Sequence, residues 1–319
     1  MAYPTVSAPY GLKPVNLQGG RVYSGSTRMI PIPTGYAYNL FNGDVVGLTG
    51  GGLAVTTYGF NTTAAAGVGI GVFVGCEYTN TSSAGVPQGP IYGKNRYQYW
   101  QGGTNAQDAI GYVVDDPNAY FRVAVLTQPV TTAVNTPGTS IGYMSQAFLG
   151  TNVYLITNST NGGNSSGSTA TGDSAMGVTG TAPPTASSIN GNVRFPGTAT
   201  PFRVIQLVPD TAVTVQTTVA SQGAAGTGDF VVTSATGIQP GMQVIIPSGN
   251  TGTSGSLAGN FLYVTSVVGT RIYCGTSSSA TSNANLTVTA GTNVTFVGYP
   301  EVIVGWNPTF HAYNVSTGI

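Results

Sequence analysis

The chain has 319 residues with nine Lys and Arg against nine Asp and Glu, so charged residues make up 6% of it, where an ordinary soluble domain carries about 25%. A formal net charge of zero leaves no basic field to hold nucleic acid and no acidic tail to mimic it. With 41% apolar residues the chain buries a core, while 47 Gly and 19 Pro, about a fifth of its length, call for many turns, and the length predicts about two domains.

The first twenty residues, MAYPTVSAPYGLKPVNLQGG, hold no apolar run of signal-peptide length, and no window approaches about 18 continuous apolar residues, so neither secretion nor membrane spanning is expected. Pro4, Pro9, Pro14, Pro31 and Pro33 deny this region a regular ladder of its own. Residues 1–35 are therefore predicted to form an extended arm ordered by a neighbouring subunit, with Lys13, Arg21 and Arg28 as its charged contacts.

Beyond the arm, short runs rich in Val, Ile, Tyr and Phe recur between Gly, Pro, Asn and Ser clusters, beginning with GVFVGCEY (71–78). Cys76 in that run and the distant Cys274 read as buried free thiols. In KNRYQYWQGG (94–103), Tyr97, Tyr99 and Trp100 sit beside Lys94 and Arg96, which suits a partner-binding edge or a sugar-stacking platform. VVDDPN reads as a turn in which Asp caps its own backbone, and adjacent Asp115 and Asp116 would point to opposite faces of a strand, unlike a glycosidase pair. FRVAVL (121–126) alternates, with Phe121, Val123 and Val125 on one face, and FRVIQLV (202–208) does the same. Between these two, SQAFLGT (145–151) has room for one short helical turn.

Residues 158–200 are nearly all small or polar and predict a long ordered loop or an excursion over a neighbouring surface. From 211 to 296 the chain reads as a compact unit of its own, strand, Gly-Ile-x-Pro-Gly turn, strand, hairpin and strand, after which EVIVGW returns to the earlier style. The expected fold is all-β: a β-barrel or β-tulip-like main domain (1–210 plus 297–319) with an inserted small β-barrel (211–296). Asp210 and Pro300 should then lie close in space.

The chemical inventory is thin. With His311 as the sole histidine, neither a two-His metal site nor a zinc site of Cys and His is available. GxSxG, GxxxxGK[ST] and D-x-D-x-D are all missing, so no catalytic residue, cofactor or metal is assigned. His311, in NPTFHAYN, reads as a packed aromatic-flanked side chain.

The stretch APYGLKPVNLQGGRVYSGSTRMIPIPTGYAYNLFNGDVVGL, followed by GIGVFVGCEYTN, QYW, DDPNAYFRV, TPFRVIQLVPDT and the closing EVIVGWNPTFHAYNVSTGI, resembles a family of tailed-bacteriophage virion proteins. The resemblance spans most of 8–210 and 297–319, and residues 211–296 look like the small β-barrel modules grafted into many phage structural proteins. It implies a head decoration, or cement, protein on the outer surface of the capsid. Its implied partners are the major capsid protein and further copies of itself, a trimer being favoured, without nucleic acid or membrane. Interface candidates are Tyr10, Lys13, Arg21, Tyr23, Arg28, Tyr97, Tyr99 and Trp100. The alternative is a carbohydrate-binding or adhesin-like protein of the virion tail, stacking sugars on Tyr97, Tyr99 and Trp100.

Overall fold

Alternating, turn-bounded segments make strands. The computed structural model describes residues 6–49, 52–55, 69–79, 95–104, 106–126, 141–156, 167–180, 200–222, 228–247, 251–253, 262–275, 286–311 and 313. It is all-β, and its helical pieces are short 3-10 turns such as Gln146–Phe148. Among the described residues no helix is long and apolar enough to cross a membrane.

The chain starts a seven-stranded sheet with β1 (Lys13–Leu17) and β2 (Arg21–Val22). It crosses to a second sheet with β3 (Arg28–Pro31), β4 (Val45–Thr49), β5 (Gly52–Val55), β6 (Gly71–Tyr78), β7 (Asn95–Tyr97) and β8 (Ile110–Val114). It then returns to the first with β9 (Ala119–Ala124), β10 (Asn152–Ile156), β11 (Gly177–Thr179) and β12 (Phe202–Leu207). A third unit follows: β13 (Val213–Gln222), β14 (Asp229–Val232), β15 (Gln243–Ile245), β16 (Thr251–Thr253), β17 (Leu262–Val268), β18 (Arg271–Gly275), β19 (Leu286–Val288) and β20 (Asn293–Gly298). Finally β21 (Glu301–Trp306) re-enters the first sheet between β12 and β9.

The first sheet runs β11-β10-β12-β21-β9-β1-β2 and the second β3-β8-β6-β4-β5, with β7 against β6. Both bury their apolar faces in one core that includes Leu40, Phe73, Trp100, Phe121, Phe202 and Trp306. The second sheet curls towards a half barrel, bringing β5 back beside β3: a Cβ at Gly52 would stand 2.5 Å from the carbonyl oxygen of Pro31. The first sheet also turns inward at one edge, where the Leu126 amide donates to the Val178 carbonyl at 2.8 Å. Two of the sheet edges are thereby covered by the chain itself, a common protection against unwanted strand pairing.

The third unit closes as a barrel in the order β13-β14-β18-β17-β15-β20, with β16 and β19 as a separate pair. Its core holds Phe230, Phe296, Met242 and Cys274 and is distinct from the main one. Register shifts between Val219 and Ser221 and between Val264 and Ser266 supply the bends that closure of a small barrel requires. The flanking strands pair with each other, Leu207 opposite Val302, and the Val208 amide donates to the Glu301 carbonyl at 3.2 Å. In the Gly-Ile-x-Pro-Gly turn Gly241 has φ +89° and lies against the main body, where a Cβ would stand 2.0 Å from the Tyr143 oxygen. Both the backbone angle and the space therefore require glycine there.

Two expectations are corrected. Residues 6–35 are not an arm: Leu12 is wholly buried, β1 pairs with β2 on one side and β9 on the other, and Ile30 and Ile32 enter the main core. The prolines sit where a missing donor costs little. Pro14 lies at a register shift, Pro31 ends the outer strand β3, and Pro33 opens a turn closed by the Tyr36 amide. Residues 1–5 lie outside the described residues. The 158–200 stretch is not a loop throughout, since its described part, 167–180, contains β11 and the buried Ser174, Met176 and Val178. Small residues are needed there because a Cβ at Gly177 would meet the Leu126 side chain at 2.5 Å.

Replacing residues 211–298 by a short Gly/Ser bridge is expected to leave the main body with a cooperative thermal transition, because β12 and β21 already meet as neighbours. Loss of cooperative unfolding in that variant would show that the two units fold only together.

Candidate binding surface

The few charges of this chain are mostly used to hold it together. Lys13 Nζ reaches Asp173 Oδ1 at 2.6 Å and Asn42 Oδ1 at 2.8 Å, tying β1 to the 167–180 segment. Arg271 pairs with the fully buried Asp229 inside the barrel sheet. Arg96 stands 3.6 Å from Glu77 and 5.4 Å from the centre of the Tyr112 ring, whose hydroxyl donates to Glu77. Arg28 donates to the Tyr313 hydroxyl, which donates in turn to Asp115, itself 3.6 Å from Arg28.

Glu301, the first residue of β21, is buried and gathers three hydrogen bonds from two partners. Arg122 Nε donates to its Oε1 at 3.1 Å, Arg122 Nη2 to its Oε2, and the Tyr10 hydroxyl to Oε1. Burial alone would raise the Glu301 carboxyl, but the Arg122 and Tyr10 hydrogen bonds outweigh it and hold the group below its ordinary value. Burial, reinforced by Glu301, pushes the Tyr10 phenol well up, so it stays a neutral donor.

The residues singled out from sequence separate into inward and outward groups. Trp100 is 0% exposed, donates Nε1 to the Tyr36 carbonyl and meets Tyr78 edge to face at 5.2 Å. Tyr97 stacks on Tyr78 at 4.4 Å and Tyr99 on Phe41 at 5.4 Å. The expected sugar platform is therefore corrected: Trp100 belongs to the core, and Tyr97 and Tyr99 already stack on the chain's own rings. Tyr10 and Lys13 are half-buried, and their polar atoms hold the chain's own Glu301 and Asp173. Tyr23 packs partly against the core and donates to the Ser26 carbonyl. Arg21 and Arg28 remain exposed.

Near Arg21 and Arg28, apolar side chains are exposed at the outer strand β2 and the start of β3; Val268 in the barrel is exposed as well. Val22 is 78% exposed, Met29 is 61% exposed, and the ring of Tyr313 lies 6.0 Å from the Arg28 guanidinium. Alternation hides this from sequence, because β2 is only two residues long and its lack of a second neighbour is decided by the whole sheet order.

A second open feature was not signalled by any motif. On the outer face of the first sheet a cleft of about 470 Å³ is lined by Tyr120, Arg203, Ile205 and Gly305, with Gln18, Asn118 and Asn307 adding amides. The alternation of FRVIQL does place Arg203 outward, but the adjacency of β9, β21 and β12 is a property of the fold.

The sole histidine is enclosed: His311 is fully buried between Trp306 and Tyr313, both edge to face, at 5.0 and 5.1 Å. Burial lowers its imidazole below the ordinary value. Both cysteines are buried free thiols, and burial pushes Cys76 up to about 12. Among the described residues no group of three or more His, Cys, Asp or Glu is placed to hold a metal ion. Compared with protein-family models, with curated proteins and with solved structures, the chain gives no match.

Replacing Glu301 by Gln is expected to lower stability at neutral pH by on the order of 2 kcal/mol, less than for a fully enclosed pair because Arg122 keeps partial access to water. The folded carboxyl titrates below the unfolded one, so its contribution is complete above the ordinary value of 4.5 and is lost as pH falls through the folded value. Urea unfolding at pH 7 and pH 3 should show the gap between wild type and Glu301→Gln closing in acid. A gap of unchanged size at pH 3 would contradict this assignment.

Proposed function

We propose that this chain is a virion structural protein that coats the outer surface of a tailed-phage head and stabilises it by binding the major capsid protein, with no catalytic step. The observation that carries the reading is the fate of the charges. Five ion pairs among the described residues take up ten of the eighteen charged side chains for internal ties. The surface left for partners is charge-poor, with apolar side chains exposed at Val22 and Met29.

Such a surface suits a static, high-copy contact. Burial of apolar area is insensitive to ionic strength, whereas exposed ion pairs are screened and contribute little. The contact is made by β2, the start of β3 and Tyr313, with Arg21 and Arg28 at its rim. The resemblance of APYGLKPVNLQGG and EVIVGWNPTFHAYNVSTGI to phage virion proteins supports the same reading. Self-association into a trimer on the shell belongs to this proposal. The adhesin alternative loses Trp100, which is buried, while the half-buried Tyr97 and Tyr99 stack on Tyr78 and Phe41.

Stabilisation follows from mass action: a binder present at about 100 times its dissociation constant adds about 2.7 kcal/mol per site. Electron microscopy of labelled virions should place the protein over the head. Heads carrying it should release their genome at a higher temperature than heads without it. Val22→Asp and Met29→Asp, both at exposed positions, should weaken head binding by about tenfold or more while leaving the unfolding temperature unchanged. Localisation to the tail alone, or identical release curves at full occupancy, would overturn the proposal.

A further inference from the structure

The cleft on the first sheet has the construction of a ligand site. Its floor is a row across three strands, in which Gly305 of β21 lies opposite Tyr120 of β9 on one side and Arg203 of β12 on the other. Cross-strand partners share a face, so the ring and the guanidinium stand on either side of a position without a side chain. The Tyr120 ring leans over that gap, where a Cβ at Gly305 would lie 3.0 Å from it. Alternation along β12 puts Ile205 on the same face as Arg203, so it lines the same cleft.

Its polar groups select the ligand's chemistry. Arg203 is exposed, and none of the carboxylates of the described residues lies within ion-pair distance of it. Gln18, Asn118 and Asn307 contribute amides, which both donate and accept as hydroxyl groups do. Asn307 is already held in place, its Nδ2 donating to the Thr200 carbonyl at 3.0 Å and its Oδ1 accepting from Thr309. The volume falls within the range of about 300 to 1,000 Å³ usual for small-ligand sites. A peptide strand finds no pairing edge here, because β21 is already paired on both sides, with β12 and β9.

We propose that this cleft binds a carboxylate-bearing sugar unit of the uronic or sialic acid type. Arg203 takes the carboxylate, the Tyr120 ring packs against the apolar face of the sugar, and the three amides meet its hydroxyls. This site is independent of the head contact and is tested on the isolated full chain, so failure of either proposal leaves the other standing.

Titration calorimetry with digalacturonic acid and N-acetylneuraminic acid, beside galactobiose as the neutral control and a hexapeptide of glutamates as the rival, decides it. At least one acidic sugar should bind about tenfold or more tightly than galactobiose. Arg203→Gln should remove that preference, Tyr120→Ala should weaken both sugar classes, and both variants should keep the wild-type unfolding temperature. Should Tyr120→Ala fail to fold, the exposed Arg203→Gln still decides the outcome. The proposal is overturned if neither acidic sugar binds at about 10 mM, if galactobiose binds equally well, if Arg203→Gln changes nothing, or if only the peptide binds.

Discussion

Glu301 is the point on which the connection between the two units depends. Its carboxylate is taken out of water at the site where the chain re-enters the first sheet, and it survives there because Arg122 from β9 and Tyr10 from the N-terminal segment both donate to it. Its backbone carbonyl meanwhile accepts from Val208 at the end of β12, two residues before the chain departs for the barrel region. Through its side chain and backbone, this one residue joins the start of the chain, the centre of the first sheet and the two strands that flank the barrel. A buried charge leaves little freedom, since each partner removed exposes the rest to an uncompensated desolvation cost.

The same logic extends to the other charges. In a chain with so few of them, pairing Lys13 with Asp173 and Arg271 with Asp229 commits them to the fold and leaves an exterior with few free charges, Arg21 and Arg203 among them. That exterior has weak long-range steering and low selectivity by charge, and it gains contact strength from shape and apolar area. On the proposed function, a repetitive, pre-formed lattice would compensate for slow, unsteered encounter by presenting many identical sites at once.

Much of the architecture is legible in the sequence, because period-two alternation maps directly onto burial. Phe121 and Val123 in FRVAVL are buried, and the barrel strands repeat the pattern in NVTFVG. The failures have specific physical causes. By sequence the prolines near the start bar strand pairing, whereas Pro14 is accommodated at a register shift and Pro31 at a strand end. The Gly- and Ser-rich 167–180 segment reads as solvent-loving, yet close packing against Leu126 and Phe41 excludes larger residues at Gly177 and Gly167. Trp100 reads as an exposed platform because its neighbours are polar, but Arg96, Gln98 and Gln101 stay exposed while Trp100 is buried against Tyr78. The cleft was invisible for another reason: Tyr120, Gly305 and Arg203 are brought together only by the strand order.

The claim that neutral, apolar contacts carry the function is tested most directly by measuring binding of the protein to purified expanded heads across a salt series. The account predicts that the dissociation constant changes by less than about threefold between roughly 50 and 500 mM NaCl. A loss of affinity of about tenfold or more over that range would mean that charge pairs, and not exposed apolar side chains such as Val22 and Met29, hold the protein to the shell.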